Sequence, residues 1–180
     1  MLNLVIAPDP IYKTICTKVT QVDDTVRATL DAMMATLRAF HAMGMGAPMV
    51  GITQRLVVVE MEDEAGALHS YKMVNPVIAE RSAETSTMEE SSITFLGVSA
   101  PVTRSGAVTV ESLDEHGAPQ TVHATGLLAV CLQHEIDYLD GKTFIDYQPP
   151  VKRDMLKRKM EKQKRNGPIP HIHGAHCNHG

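Results

Sequence analysis

Residues 125–141 read TGLLAVCLQHEIDYLDG, and this run constrains the fold more than any other. Leu127, Leu128, Cys131, Ile136 and Leu139 recur at helical spacing, with Thr125 where a cap belongs and Gly141 just past the end. A helix this apolar buries most of its surface. Yet it carries Gln133, His134, Glu135, Asp137 and Tyr138, more polar groups than packing calls for. Buried polar groups need partners, so the elements around this helix must supply them. His134 and Tyr138 are four apart and share a face.

The rest of the chain supplies strands and one more amphipathic helix. Asp23 and Asp24 can cap a helix starting near Thr25. Val26, Leu30, Met33, Met34, Leu37 and Phe40 then give it one buried face, and it is expected to end near Ala42 to Gly44. Gly44, Gly46, Pro48 and Gly51 punctuate the next stretch as a loop. Residues 55–61 and 71–78 read as strands around a polar turn, and 98–102, 107–113 and 121–123 as further strands. Helix, strands, then helix points to an α+β fold, a mainly antiparallel sheet packed around a central helix.

Length and charge divide the chain. Its 180 residues suit one domain with a real core; without Trp, and with 3 Phe and 11 Met, that core relies on Leu, Val, Ile and Met. Residues 1–150 are expected to form the domain, carrying nine basic against nineteen acidic residues. Residues 151–166 form a basic helix, with eight Lys or Arg and two acids within 151–165. Such a helix is either a solvated face or a docking element for an anionic partner such as RNA. Residues 167–180 form a tail expected to be disordered. Its HIHGAHCNHG is compositionally a metal-binding tract. Cys16, Cys131 and Cys177 are odd in number and scattered, which is no disulfide framework. The N-terminus lacks a signal-peptide pattern, and no segment has the ~20 apolar residues of a membrane span. A cytoplasmic location is expected.

His134-Glu135 also begins the pattern His-Glu-x-x-His, in which two histidines on one helix face bind a metal and the Glu handles protons. Here the fifth position is Tyr138. Three segments together resemble the peptide deformylase family. Residues 42–51, AMGMGAPMVG, are similar to its first motif, Gly-Ile-Gly-Leu-Ala-Ala-Pro-Gln-Val-Gly. Residues 90–94, ESSIT, are similar to the second, Glu-Gly-Cys-Leu-Ser. Residues 133–141, QHEIDYLDG, are similar to the third, Gln-His-Glu-x-Asp-His-Leu-x-Gly. IAPDPIYKTICTKV near the start, MVNPVI, Arg104 and GKTFIDY agree with the family framework, so the likeness spans roughly residues 1–160.

The resemblance implies a peptide-deformylase-like fold, antiparallel sheets around a central helix carrying the third motif. It implies removal of the formyl group from the N-terminal methionine of new proteins by a divalent ion, Fe2+ or Zn2+. The family's ligands are the Cys of motif two and both His of motif three. The Glu shuttles protons, while the Gln of motif one and the N–H after the Cys steady the oxyanion. Carried over, the ligand positions are Ser92, His134 and Tyr138, the proton carrier is Glu135, and the Gln position is Met49. Ile93 still offers its N–H, and Met43, Gly44 and Arg104 are the remaining substrate or oxyanion positions.

Each replacement has a chemical consequence. A Ser hydroxyl stays protonated and binds metals poorly beside a thiolate. A Tyr phenol, pKa about 10, ligates only when ionised. Loss of an oxyanion donor costs about 10²–10³ in rate. Weak or no deformylase activity is expected. An apolar slot lined by Met43, Met45, Met49, Ile93, Phe95 and Leu127 is expected to keep Met-ended or formyl-Met peptides as partners. Alternatives are a working metallohydrolase with substitute ligands, Cys131 among them, or Ser92 as a nucleophile with His134 as its base and Glu135 orienting it. A further alternative is a non-catalytic protein whose basic helix meets the ribosome.

Overall fold

The computed structural model of the chain describes residues 1–167; the His-rich tail lies outside the described residues. The elements run α1 (Asp24–Ala39), β1 (Gly44–Gly46), β2 (Leu56–Glu62), β3 (Leu68–Arg81), β4 (Thr85–Glu90), β5 (Ala100–Ser105), β6 (Ala107–Leu113), β7 (Pro119–Thr125), α2 (Gly126–Leu139) and α3 (Pro150–Arg165). Short 3-10 turns occupy Pro10–Lys13, Ala47–Val50 and Phe144–Tyr147. Antiparallel pairing gives a five-stranded sheet in the order β1-β2-β3-β6-β7 and a separate pair, β4-β5.

β2 explains the layering. Leu56 and Val58 join one apolar cluster with Leu30, Met33 and Leu37 of α1. Val57, Val59 and Met61 alternate onto the other, with Ala129, Leu132 and Ile136 of α2. The strand is sandwiched between two helices, so its sequence is a continuous apolar run rather than an alternation. Each such side chain, fully buried, contributes about 1.5–3 kcal/mol. α2 thereby lies between the large sheet and the β4-β5 pair, the α+β architecture expected from the sequence.

α1 begins as expected, with Asp23 Oδ1 accepting from Val26 N at 2.9 Å, but ends earlier. Phe40 caps it and is 40% exposed, not part of the buried face; Thr36 is buried in that face instead. Ala42 N donates to Leu37 O at 3.0 Å and His41 N to Arg38 O at 3.2 Å, closing a Schellman turn. His41, at φ 52°, holds the left-handed position usually given to Gly. α2 closes in the same way, with Gly141 (φ 69°) in that position. Thr125 precedes α2 as expected, but its side chain makes no cap bond.

Three further differences concern strands. The stretch read as a loop holds β1, whose pairing with Val57–Val59 owes nothing to its own sequence pattern. β4 is absent from the sequence reading, because Thr85–Glu90 carries one apolar residue, Met88, and pairs only with β5. β5 starts at Ala100, two residues later than expected. α3 buries only Leu156 and Met160 and leaves Val151 and Met155 exposed. No helix among the described residues is long and apolar enough to cross a membrane.

The strain at His41 gives a direct test. His41→Gly relieves the left-handed backbone and should raise unfolding stability by up to about 1 kcal/mol in urea titrations. An unchanged or lower midpoint would show that the Schellman turn does not limit stability.

Candidate functional site

The polar residues of α2 all find partners. Gln133 Nε2 donates to Ser105 O at 2.9 Å and Ala129 O at 3.0 Å, while its Oε1 accepts from Arg81. Asp137 accepts from Arg104 Nη1 at 2.8 Å and from the Tyr147 hydroxyl at 2.7 Å. Glu135 Oε2 accepts from Gly46 N at 2.8 Å. The buried Arg104 also grips Glu90, the last residue of β4, through Nε at 2.6 Å and Nη2 at 3.0 Å.

Glu90 then sets the state of His134. Burial alone would push the Glu90 carboxyl up, but the bonds from His134 and Arg104 outweigh it and hold the group below its ordinary value. A carboxylate only accepts, so His134 Nδ1, 2.7 Å from Glu90 Oε2, carries the proton. In the neutral ring Nε2 is then the acceptor and takes the Tyr138 hydroxyl at 3.1 Å. Burial, then the nearby Glu135 charge, drives the Tyr138 phenol well above 10, only partly offset by Ser92. The phenol therefore stays protonated and donates.

Tyr138 is fully enclosed. Its ring packs on His134, Tyr12 and Phe95 at centroid distances of 5.1, 5.6 and 6.0 Å, and Phe144 stacks on His134 at 5.6 Å. β1 approaches the α2 backbone closely here because Gly46 lacks a side chain. A Cβ at Gly46 would come within 3.1 Å of Glu135 O and 3.3 Å of Tyr138 Cβ.

Beside this cluster lies a cavity of about 110 Å³. Ser92, Cys131, His134 and Glu135 border it on one side, and Met43, Met49, Ile93, Leu127 and Val130 supply apolar wall. Of the expected slot residues, Met45 and Phe95 are instead in the core, because β1 pairing and the aromatic cluster hold them there. Arg104 stands behind the cavity, committed to Glu90 and Asp137, rather than on its wall. Gly44 lies on the wall.

The Ser92 nucleophile arrangement is not the one present. Both His134 nitrogens are engaged elsewhere, the carboxylate that orients the ring is Glu90 rather than Glu135, and Ser92 Oγ pairs with Thr94 Oγ1 at 3.2 Å. A second cavity, about 320 Å³ between Pro8, Phe95, Ile145 and Met160, holds none of these groups.

Comparison with known proteins agrees with this geometry. The family model described as polypeptide deformylase matches residues 1–154. The chain belongs to the peptide deformylase family. A "Peptide deformylase-like" protein of Rickettsia conorii is 42% identical over 177 residues, covering 98% of this chain and 96% of that one. The peptide deformylase of Alkalilimnicola ehrlichii is 37% identical over 169 residues, covering 94% of each. The crystal structure of the Ehrlichia chaffeensis peptide deformylase superposes with a TM-score of 0.88 at 30% identity, covering 94% of this chain and 99% of that one. The same enzyme in complex with actinonin gives 0.87 at 31% identity, covering 92% and 98%.

The donors at the family's metal positions do not suit a divalent ion. They are a neutral phenol, a serine hydroxyl bonded to Thr94, and an imidazole whose Nε2 already accepts from that phenol. Among the described residues, no group of three or more His, Cys, Asp and Glu is arranged to hold a metal. The residue that sequence reasoning missed is Glu90: it opens the second motif, but nothing local signals a partner 44 residues away.

Two tests follow from these contacts. Arg104→Met strips the counter-ion from a buried carboxylate and should cost about 3–5 kcal/mol. Because the folded Glu90 value lies below its ordinary 4.5, its contribution is complete above that pH and is lost as pH falls through the depressed value. Denaturation curves of wild type and Glu90→Gln should differ above about pH 5 and converge in acid; a gap constant with pH would refute the assignment.

Proposed function

We propose that this member of the peptide deformylase family keeps the fold and a peptide cavity, has weak or no deformylase activity, and binds peptides that begin with methionine. The observation that carries this reading is the Tyr138 hydroxyl on His134 Nε2. It caps the one retained imidazole with a neutral donor where a catalytic ion would need an open lone pair. Met49 lines the cavity with a thioether and no hydrogen-bond donor, so of the family's two oxyanion donors only the Ile93 N–H is left. Glu135 borders the same cavity as the one proton carrier. The apolar wall of Met43, Met49, Ile93 and Leu127 suits an unbranched side chain. The volume is well below the ~300 Å³ of drug-sized sites, which fits one residue.

An active hydrolase with substitute ligands would need Tyr138 to leave His134 and ionise, and burial opposes that. A second reading, docking to the ribosome or another anionic surface, draws on α3. That helix carries eight Lys or Arg and leaves Val151 and Met155 exposed.

The test is turnover of a formyl-methionyl tripeptide by wild type and by the triple variant Ser92→Cys, Met49→Gln, Tyr138→His. Both are loaded anaerobically with Fe2+ or Zn2+. The wild type should be slower by at least ~10³, as expected when nucleophilic water and an oxyanion donor are both lost. Chelator-sensitive turnover in the wild type at the rate of the variant would overturn the reading.

A further inference from the structure

The larger cavity, about 320 Å³, takes no part in the reading above. The Pro10–Lys13 turn, the Phe144–Tyr147 turn and α3 all contribute to its wall. Phe95, Ile145 and Met160 give it an apolar lining, and each is otherwise buried. Tyr12 belongs to the same wall, with its hydroxyl given to Val5 O. Lys164 Nζ donates to Pro8 O at 2.7 Å, which ties the end of α3 to the N-terminal segment.

The charged groups on this wall divide into those already engaged and those that are not. Asp146 accepts from Lys13 Nζ at 2.7 Å and from Thr143 N at 2.8 Å. Asp9 accepts from Ile11 N at 3.0 Å. Lys157, half-buried, and Glu161, exposed, also line the cavity. Among the described residues, neither makes a hydrogen bond or an ion pair. They stand four apart on α3, so they share a face about one turn, ~5.4 Å, apart. The apolar wall thus carries one uncommitted cation and one uncommitted anion side by side.

A complementary ligand has an apolar body for Phe95, Ile145 and Met160, an anion for Lys157 and a cation for Glu161. A plain carboxylic acid leaves Glu161 unmatched, and a plain amine leaves Lys157 unmatched. The two ligand charges must also lie close together, because each further peptide residue separates them by roughly 3.5 Å. The volume, near the ~300 Å³ lower end of small-molecule sites, points the same way. We propose that this cavity binds a free α-amino acid with a large apolar side chain, its α-carboxylate on Lys157 and its α-ammonium at Glu161. The side chain then lies against Tyr12 and Phe95, the two rings that also pack on Tyr138.

The test is an NMR titration of the full chain, labelled at its methionine methyls, with L-phenylalanine. Met160 reports on this cavity, and Met43 and Met49 report on the smaller one. Met160 should shift and saturate while Met43 and Met49 stay in place. L-Phenylalaninamide lacks the carboxylate, and N-acetyl-L-phenylalanine lacks the ammonium. Each should bind about three- to tenfold more weakly, the scale of one partly exposed charge contact. In Lys157→Gln the gap between the amino acid and its amide should close to within about twofold. Lys157 has no polar partner among the described residues, so that variant should keep its fold. No response at Met160, a response at Met43 and Met49 in its place, equal binding of the three compounds, or a gap that persists in Lys157→Gln each overturns the inference. A silent Met160 leaves methionine-peptide binding untouched, because that reading rests on the smaller cavity.

Discussion

The Glu90 carboxylate is the pivot on which this site turns. It is held by Arg104 from β5 and by His134 from α2, and Arg104 reaches on to Asp137 and Tyr147. One anion thus ties the end of β4, the neighbouring strand, the central helix and the turn after it. A buried pair of this kind is stable only while complete, which couples the position of β4 to that of α2. It also fixes the proton on His134 Nδ1. Carboxylate partners of this sort orient imidazoles for ligation. Here the imidazole so oriented faces the Tyr138 hydroxyl.

The Tyr138 phenol is fully enclosed. It needs a hydrogen-bond acceptor and finds His134. It needs apolar contact and finds Tyr12 and Phe95. Both requirements are met at once, as interior packing demands, and a buried aromatic cluster covers the Nε2 side of the imidazole.

The sequence was most readable where periodicity controls structure. The helical recurrence of Val26, Leu30, Met33 and Leu37 and the span of α2 both match the fold, because burial on one face leaves a regular imprint. Phe40 continued that rhythm past the true end of α1, since a left-handed His41 is invisible to a hydrophobic pattern. β1 and β4 escaped because their pairing depends on partners distant in the chain, and Met88 alone gives β4 no alternation. The site was half legible. Ser92, His134, Glu135 and Met49 could be singled out, and the structure brings all four to one cavity. The roles of Glu90 and Arg104 could not be read, because a charge pair between strand end and helix carries no local spacing signal.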